Sequence, residues 1–254
     1  MVAAAADEAL FGPVEAWSTL GGQAVDPRGV TVLQGKQRKA GVWRLSMQSG
    51  PQVTVIAKRC LAREAQCERV VYEHILPAAG VTALQYFGSI PDPDNTFAWV
   101  FVEDTSGSDY APQSAVHRRL AAEWLGRLHS GAASLANSVP LPDRGLSHYR
   151  GYLDAIRELA ASVACDASLS SDERQGVESL RRCADELDRR WSDVCALDSR
   201  WPPTLVHASF SHRNMRVRDN RLLVFDWGAA GWGSAARDVV KLVGAGIGGD
   251  ATVY

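Results

Sequence analysis

The chain has no C-x-x-C pair, and its five cysteines (Cys60, Cys67, Cys165, Cys183, Cys195) are odd in number. That argues against a disulfide framework or a zinc site and fits reduced thiols in a cytoplasm. Neither sign of charge is much in excess. The 27 basic and 29 acidic side chains leave a net charge of −2, so no bulk field draws nucleic acid or anionic lipid. The basic cluster Lys36, Arg38, Lys39 is short and reads as a solvated loop. No uninterrupted apolar run approaches the length of a membrane span. Residues 1–10 are alanine-rich with two acids and lack the basic start and apolar core of a secretory signal. There is no Gly-x-Ser-x-Gly elbow, no aromatic–basic alternation suited to RNA, and no histidine–cysteine cluster at metal-ligand spacing. The sequence therefore predicts a cytoplasmic protein with neither nucleic acid nor membrane as partner.

What is present is ordinary globular composition, 46% hydrophobic and 22% charged over 254 residues. That length suffices for one large domain or two modest lobes sharing a cleft. The first half alternates strand signals with one helix. Val30 to Leu33, Gly41 to Met47 and Val53 to Ala57 read as strands, with Gly50-Pro51 as a turn. Ala62 to Leu76 turns helical, with Ala65, Val71, Tyr72 and Ile75 on one face and Pro77 and Gly80 ending it. Leu84 to Ser89 and Phe97 to Val102 are two further strands around the turn Pro91 to Asn95. Glu103 to Ser108 is the boundary: residues 1–103 form a small β-rich lobe and 104–254 a larger helical one. Helices are predicted over Ser114 to Leu135, His148 to Val163, Ser171 to Leu197 (capped by Ser170 with Glu173) and Ala235 to Val243. The glycine-dense stretch 244–249 predicts a loose end or an interrupted element.

Late in the chain, Leu205-Val206-His207-Ala208-Ser209-Phe210-Ser211-His212-Arg213-Asn214 reads as a short strand and a polar loop. A hairpin follows, Met215 to Phe225, turning at Asp219-Asn220, and Asp226 stands at its end. A kinase-type site needs this layout: a loop with a base and one metal ligand, then a second ligand one hairpin later. Asn214 and Asp226 are hard oxygen ligands suited to Mg²⁺, which takes few protein groups plus phosphate oxygens and water. The other parts fall in order. Gly35 to Gly41 is a glycine turn over phosphates, not a P-loop, because Gln37 follows Gly35-Lys36. Lys58 closes an apolar strand ahead of a helix bearing Glu64, Glu68 and Glu73. Glu68, one turn before Tyr72, is its best partner. The base is the exception, since Ser209 stands where an acid is needed. His207 reads as a structural hydrogen-bonding residue; Asp238 either braces the loop, through His207 or nearby backbone amides, or is a helix N-terminal charge. His212, three residues on from Ser209, is a candidate substitute base. His129 reads as a packing residue.

These residues resemble the aminoglycoside phosphotransferase and choline kinase branch of the protein-kinase-like superfamily, over about Val30 to Leu242. The family's His-Gly-Asp-x-x-x-x-Asn and Ile/Phe-Asp-Trp/Phe signatures are similar to His207 to Asn214 and Phe225-Asp226-Trp227. Val102, Glu103 and Asp104 look like the linker whose backbone holds adenine. Leu125 to His129 resembles the family's helix end, and Gly231-Trp232-Gly233 with Asp238 its following stretch. The resemblance implies an α+β, two-lobed protein-kinase-like fold, ATP or GTP with Mg²⁺ as cofactors, and a hydroxyl-bearing small molecule as acceptor. Ser209 for the base aspartate and Ala208 for the preceding glycine depart from the pattern, and the C-terminus looks short. Family members use acidic patches for cationic acceptors, and Asp109, Asp143, Asp154 and Glu158 are the candidates here. Two readings stay open: a phosphotransferase acting on an aminoglycoside-, choline- or sugar-like hydroxyl or on a peptide Ser/Thr, and a pseudokinase that binds Mg-nucleotide and serves as a scaffold for a protein partner.

Overall fold

The computed structural model describes residues 12–36, 40–48, 54–136, 138–244 and 246–254. The central residues of the glycine turn, the Gly50-Pro51 turn, the start of the third predicted strand and the amino-terminal segment lie outside them. Five antiparallel strands form a sheet: β1 Val25–Lys36, β2 Ala40–Met47, β3 Thr54–Leu61, β4 Tyr86–Pro91 and β5 Phe97–Glu103, in the order β1-β2-β3-β5-β4. Alternation decides its two faces. Val55 and Ala57 turn to one side with Leu45, Trp99 and Phe101. An unforeseen helix, α1 Pro13–Thr19, covers that side. Pro13 presets its first turn, the Gly12 N–H donates to Glu15 Oε2 at 3.0 Å, and the Trp17 ring packs tilted at 5.2 Å from that of Phe101.

The intervening strand positions Ile56, Lys58 and Cys60 face the second side, where the predicted helix lies. It runs as α2 Ala62–Val70, a π-helical turn Val71–Ile75 and α3 Leu76–Ala79. Pro77 does not stop it. Proline cannot donate its N–H and crowds the carbonyl one turn back, and the wider π turn immediately before it absorbs both. Gly80, at φ +64°, is the true terminator.

The remaining chain is mostly helical: α4 Ala115–Ala132, α5 Leu146–Ala164, α6 Ser171–Arg189, α7 Trp191–Asp198 and α8 Ala236–Val243. Ser114 caps α4 by accepting the His117 N–H, and Ser170 with Glu173 forms the capping box of α6. The single helix expected over Ser171 to Leu197 is broken at Arg190 into α6 and α7. α4 is the buried strut, with Ala121, Trp124, Leu125 and Leu128 inside the larger core. Gly131 lets it touch α3; a Cβ there would lie 2.7 Å from Ala79 Cα. Short strands complete this part: β6 Ser108–Asp109, β7 Asp143–Arg144, β8 Thr204–Val206, β9 Met215–Arg218, β10 Arg221–Val224 and β11 Gly231–Gly233. They form sheets of order β10-β9-β6 and β7-β11-β8. The hairpin β9–β10 turns at Asp219 and Asn220, both at positive φ, as a two-residue hairpin loop requires. The tail is not loose. Ile247 is buried with its carbonyl accepting the Tyr110 hydroxyl at 2.8 Å, and Tyr254 Oη lies 2.5 Å from His129 Nδ1. Ile247 supplies apolar burial that holds the glycine-dense stretch against the core. Among the described residues no helix is long and apolar enough to cross a membrane.

Candidate functional site

A cleft between the five-stranded sheet and the helical part collects most of the residues singled out above. Lys58 lies mid-strand in β3 and points into it. Its Nζ donates to Glu68 Oε1 at 2.5 Å and also bonds Asp226 Oδ1. Glu68 is buried on α2, so its carboxylate is a fixed anchor on the far side of the ammonium. Burial works to lower the Lys58 pKa, but the carboxylates of Glu68 and Asp226 outweigh it and hold the amine well above its usual range. Burial likewise pushes the Glu68 carboxyl up, opposed by the ammonium beside it. Cys60 and Cys67 flank the pair as inert thiols, raised by burial to about 12 and about 11.

The loop after β8 is held from below. Asp238 accepts the His207 N–H at 2.6 Å and the Ala208 N–H at 3.1 Å, and Arg237 donates to the Ala208 carbonyl at 3.1 Å. Ala208 sits at φ +60°, a left-handed conformation that favours glycine. His207 is fully buried. Its Nδ1 accepts the Ser209 N–H at 3.3 Å, which leaves Nε2 to donate to the Phe225 carbonyl at 3.0 Å. The imidazole thus ties the loop to the residue before Asp226, and burial keeps its pKa below the usual value and the ring neutral. Asp226 is itself at φ +71°. Asn214 donates through Nδ2 to the Ser209 carbonyl at 3.0 Å and lies 3.4 Å from Ser209 Oγ, which leaves its Oδ1 free to accept.

A family model, the phosphotransferase enzyme family, matches residues 42–253. The chain belongs to that family. No curated protein matches it. Its fold is that of the macrolide 2'-phosphotransferase MphH from Brachybacterium faecium, with a TM-score of 0.62 at 15% identity, over 94% of this chain and 78% of that one. It is also similar to the GDP and kanamycin complex of APH(2")-IIia, with a TM-score of 0.60 at 17% identity over 93% and 78%. A third, an aminoglycoside-3'-phosphotransferase of type VIII, gives 0.55 at 18% over 94% and 88%. The α+β, kinase-like architecture is therefore that of known phosphotransferases.

In this family member the cleft has two halves that meet at Lys58 and Asp226. The narrower, of about 560 Å³, is lined by Ile56, Tyr72, Val100, Val102 and Phe225 with Glu103, Asp104 and Asn214 at its polar edge. The wider, of about 1010 Å³, holds Ser209, Gly41 and Gly228. Gly35 pairs with Gly41 across β1 and β2. The linker N–H groups are already engaged: Glu103 donates to the Gln85 carbonyl at 2.8 Å and Asp104 to that of Thr54 at 3.2 Å. The Asp104 carboxylate receives Arg44 at 2.5 Å and Thr54 Oγ1 at 2.9 Å. His212 is exposed and lines neither half; its Nδ1 lies 3.8 Å from a Cβ built on Gly246. Sequence reasoning missed Arg44, and Arg63 and Arg144 in the wider half. Nothing local marks them, since arginines near turns are usually solvated.

Proposed function

We propose that this chain binds ATP or GTP with Mg²⁺ in the cleft and transfers the γ-phosphoryl group to a hydroxyl of a small molecule, at a rate limited by Ser209. The observation that carries it is the Lys58–Glu68 pair reaching Asp226 across the cleft. The apolar half suits a purine, and its walls exclude water from the base. The N–H bonds already made by Glu103 and Asp104 shift base recognition toward carbonyls and neighbouring linker atoms. Lys58, permanently charged and fixed by Glu68, would hold the α/β-phosphates.

Asn214 Oδ1 and the Asp226 carboxylate fit Mg²⁺, being hard oxygens on opposite ends of one hairpin. Among the described residues no group of three or more His, Cys, Asp or Glu could form a full metal cage, as expected where phosphates and water complete the shell. When bound, the ion neutralises charge on the transferring group. The chain's own part is alignment. His207 and Asp238 fix the loop, and the left-handed Ala208 turns Ser209 into the wider half. A serine hydroxyl cannot take the acceptor's proton as a carboxylate does, a loss of ~10²–10⁴ in rate. Positioning and charge neutralisation, which dominate phosphoryl transfer, remain. The boundary at Glu103, a cytoplasmic setting and the small-molecule acceptor belong to the same proposal. Relatives support it: one solved neighbour is a streptomycin–ATP ternary complex.

Ser209 is the observation behind a second reading, a nucleotide-binding scaffold without turnover. ATP turnover across a panel of alcohols decides between them. The transferase reading expects slow turnover that Ser209→Asp accelerates by ~10²-fold or more. Nucleotide-induced stabilisation without turnover in either form would establish the scaffold.

A further inference from the structure

Four cationic side chains stand around the wider half of the cleft: Lys58, Arg59, Arg63 and Arg144. Lys58 is matched by Glu68 and Asp226, and Arg59 by Asp92. Arg63 and Arg144 have no carboxylate partner among the described residues, and the one further acid on this wall is Glu64. Arg144 is not a loose surface arginine. Its Nε donates to the Ala229 carbonyl at 2.9 Å, just past Asp226-Trp227-Gly228. Its stem lies on the two glycines of β11: a Cβ on Gly231 would fall 2.6 Å from Arg144 Cγ, and one on Gly233 3.1 Å from Arg144 Cβ. Parallel pairing of Gly233 with Arg144 fixes that seat. The terminal nitrogens of a held guanidinium are left for a ligand, in a fork that suits carboxylate or phosphate.

The acids that a cationic acceptor would need are elsewhere. Asp109 pairs with Arg216 at 3.2 Å and Asp154 with Arg150 at 2.9 Å. Asp143 accepts the Gly145 N–H at 2.7 Å, and Glu158 lies on the α5–α6 surface. None of the four lines the wider half. Arg144 lines the wider half together with Ser209, and does not line the apolar half.

We infer that the acceptor is an anionic hydroxyl compound, a sugar or alcohol bearing a carboxylate or phosphate, whose charge Arg144 holds, with Arg63 lining the same half of the cleft. This rests on the phosphotransferase reading above. It is tested by calorimetric titration of the full chain, with and without saturating Mg-AMP-PNP. The probes are glucose 6-phosphate, glycerol 3-phosphate and gluconate, against glucose, glycerol and kanamycin. At least one anion should bind about tenfold more tightly than its neutral counterpart. Arg144→Gln should remove that advantage and Arg144→Lys restore part of it, with Mg-AMP-PNP affinity moved less than about twofold. Kanamycin binding in preference to all three anions would overturn the inference, as would no preference for any anion. An equal loss of Mg-AMP-PNP affinity in Arg144→Gln would also overturn it, by assigning the guanidinium to the nucleotide. Anion binding that needs Arg144 in a chain that fails to bind Mg-AMP-PNP would leave the inference standing and remove the phosphotransferase reading instead.

Discussion

Lys58 sits between Glu68 behind it and Asp226 in front, so its removal acts twice. Lys58→Met takes away the phosphate ligand and leaves the Glu68 carboxylate buried without its cation. Loss of one partner from a buried pair costs about 3 kcal/mol, so urea unfolding should show the variant destabilised by that order, besides losing nucleotide affinity. Glu68→Gln keeps a hydrogen-bond acceptor and should cost less. His207 gives a pH signature. Its native pKa lies below its unfolded value, so between the two the unfolded chain binds the proton and the native chain does not. Its contribution is complete above about pH 6.5 and is lost as pH falls below that value. Thermal midpoints measured from pH 8 to pH 5 should fall over the lower part of the range, and His207→Gln should flatten that portion. Ala208→Gly is expected to stabilise by up to about 1 kcal/mol, because glycine takes φ +60° without strain.

At the level of elements, the order lysine, glutamate, loop, hairpin and aspartate is readable because each residue stands at a fixed offset from an element boundary. The hairpin was legible from Asp219-Asn220 and the helix starts from Ser114 and Ser170. Arg144 was not, because its place depends on a two-residue strand pairing in parallel with β11, a long-range contact with no local pattern. Nor was α1, since seven residues carry little periodicity and the helix exists by packing Trp17 on the sheet. The helix through Pro77 is not legible because proline punctuates a helix unless a π turn makes room, and that turn leaves no mark in composition. Gly231→Ala tests the seat of Arg144. The added methyl meets the Pro142 carbonyl as well as the Arg144 stem, so β7 must shift. Affinity for an anionic probe should then fall as in Arg144→Gln, with nucleotide affinity kept. Unchanged probe affinity would show that the glycines do not position the guanidinium.

For the whole molecule, the five-stranded sheet separates two cores, and the cleft opens along the inner one. One is the sheet's outer cluster under α1, and the other runs from α2 and α3 through α4 to the β9–β10 hairpin. Lys58 reaches from the sheet to Asp226 on the other side, so a ligand that binds both should stiffen the molecule as one unit. A ligand bound only to the native state stabilises it by about 2.7 kcal/mol at a hundredfold excess over Kd. The most direct test is the thermal midpoint of the full chain with and without saturating Mg-ATP or Mg-GTP, in wild type and in Asp226→Asn. A rise of several degrees with at least one nucleotide in wild type, lost in Asp226→Asn, is the predicted result. No shift with either nucleotide in a folded wild-type chain would contradict the account.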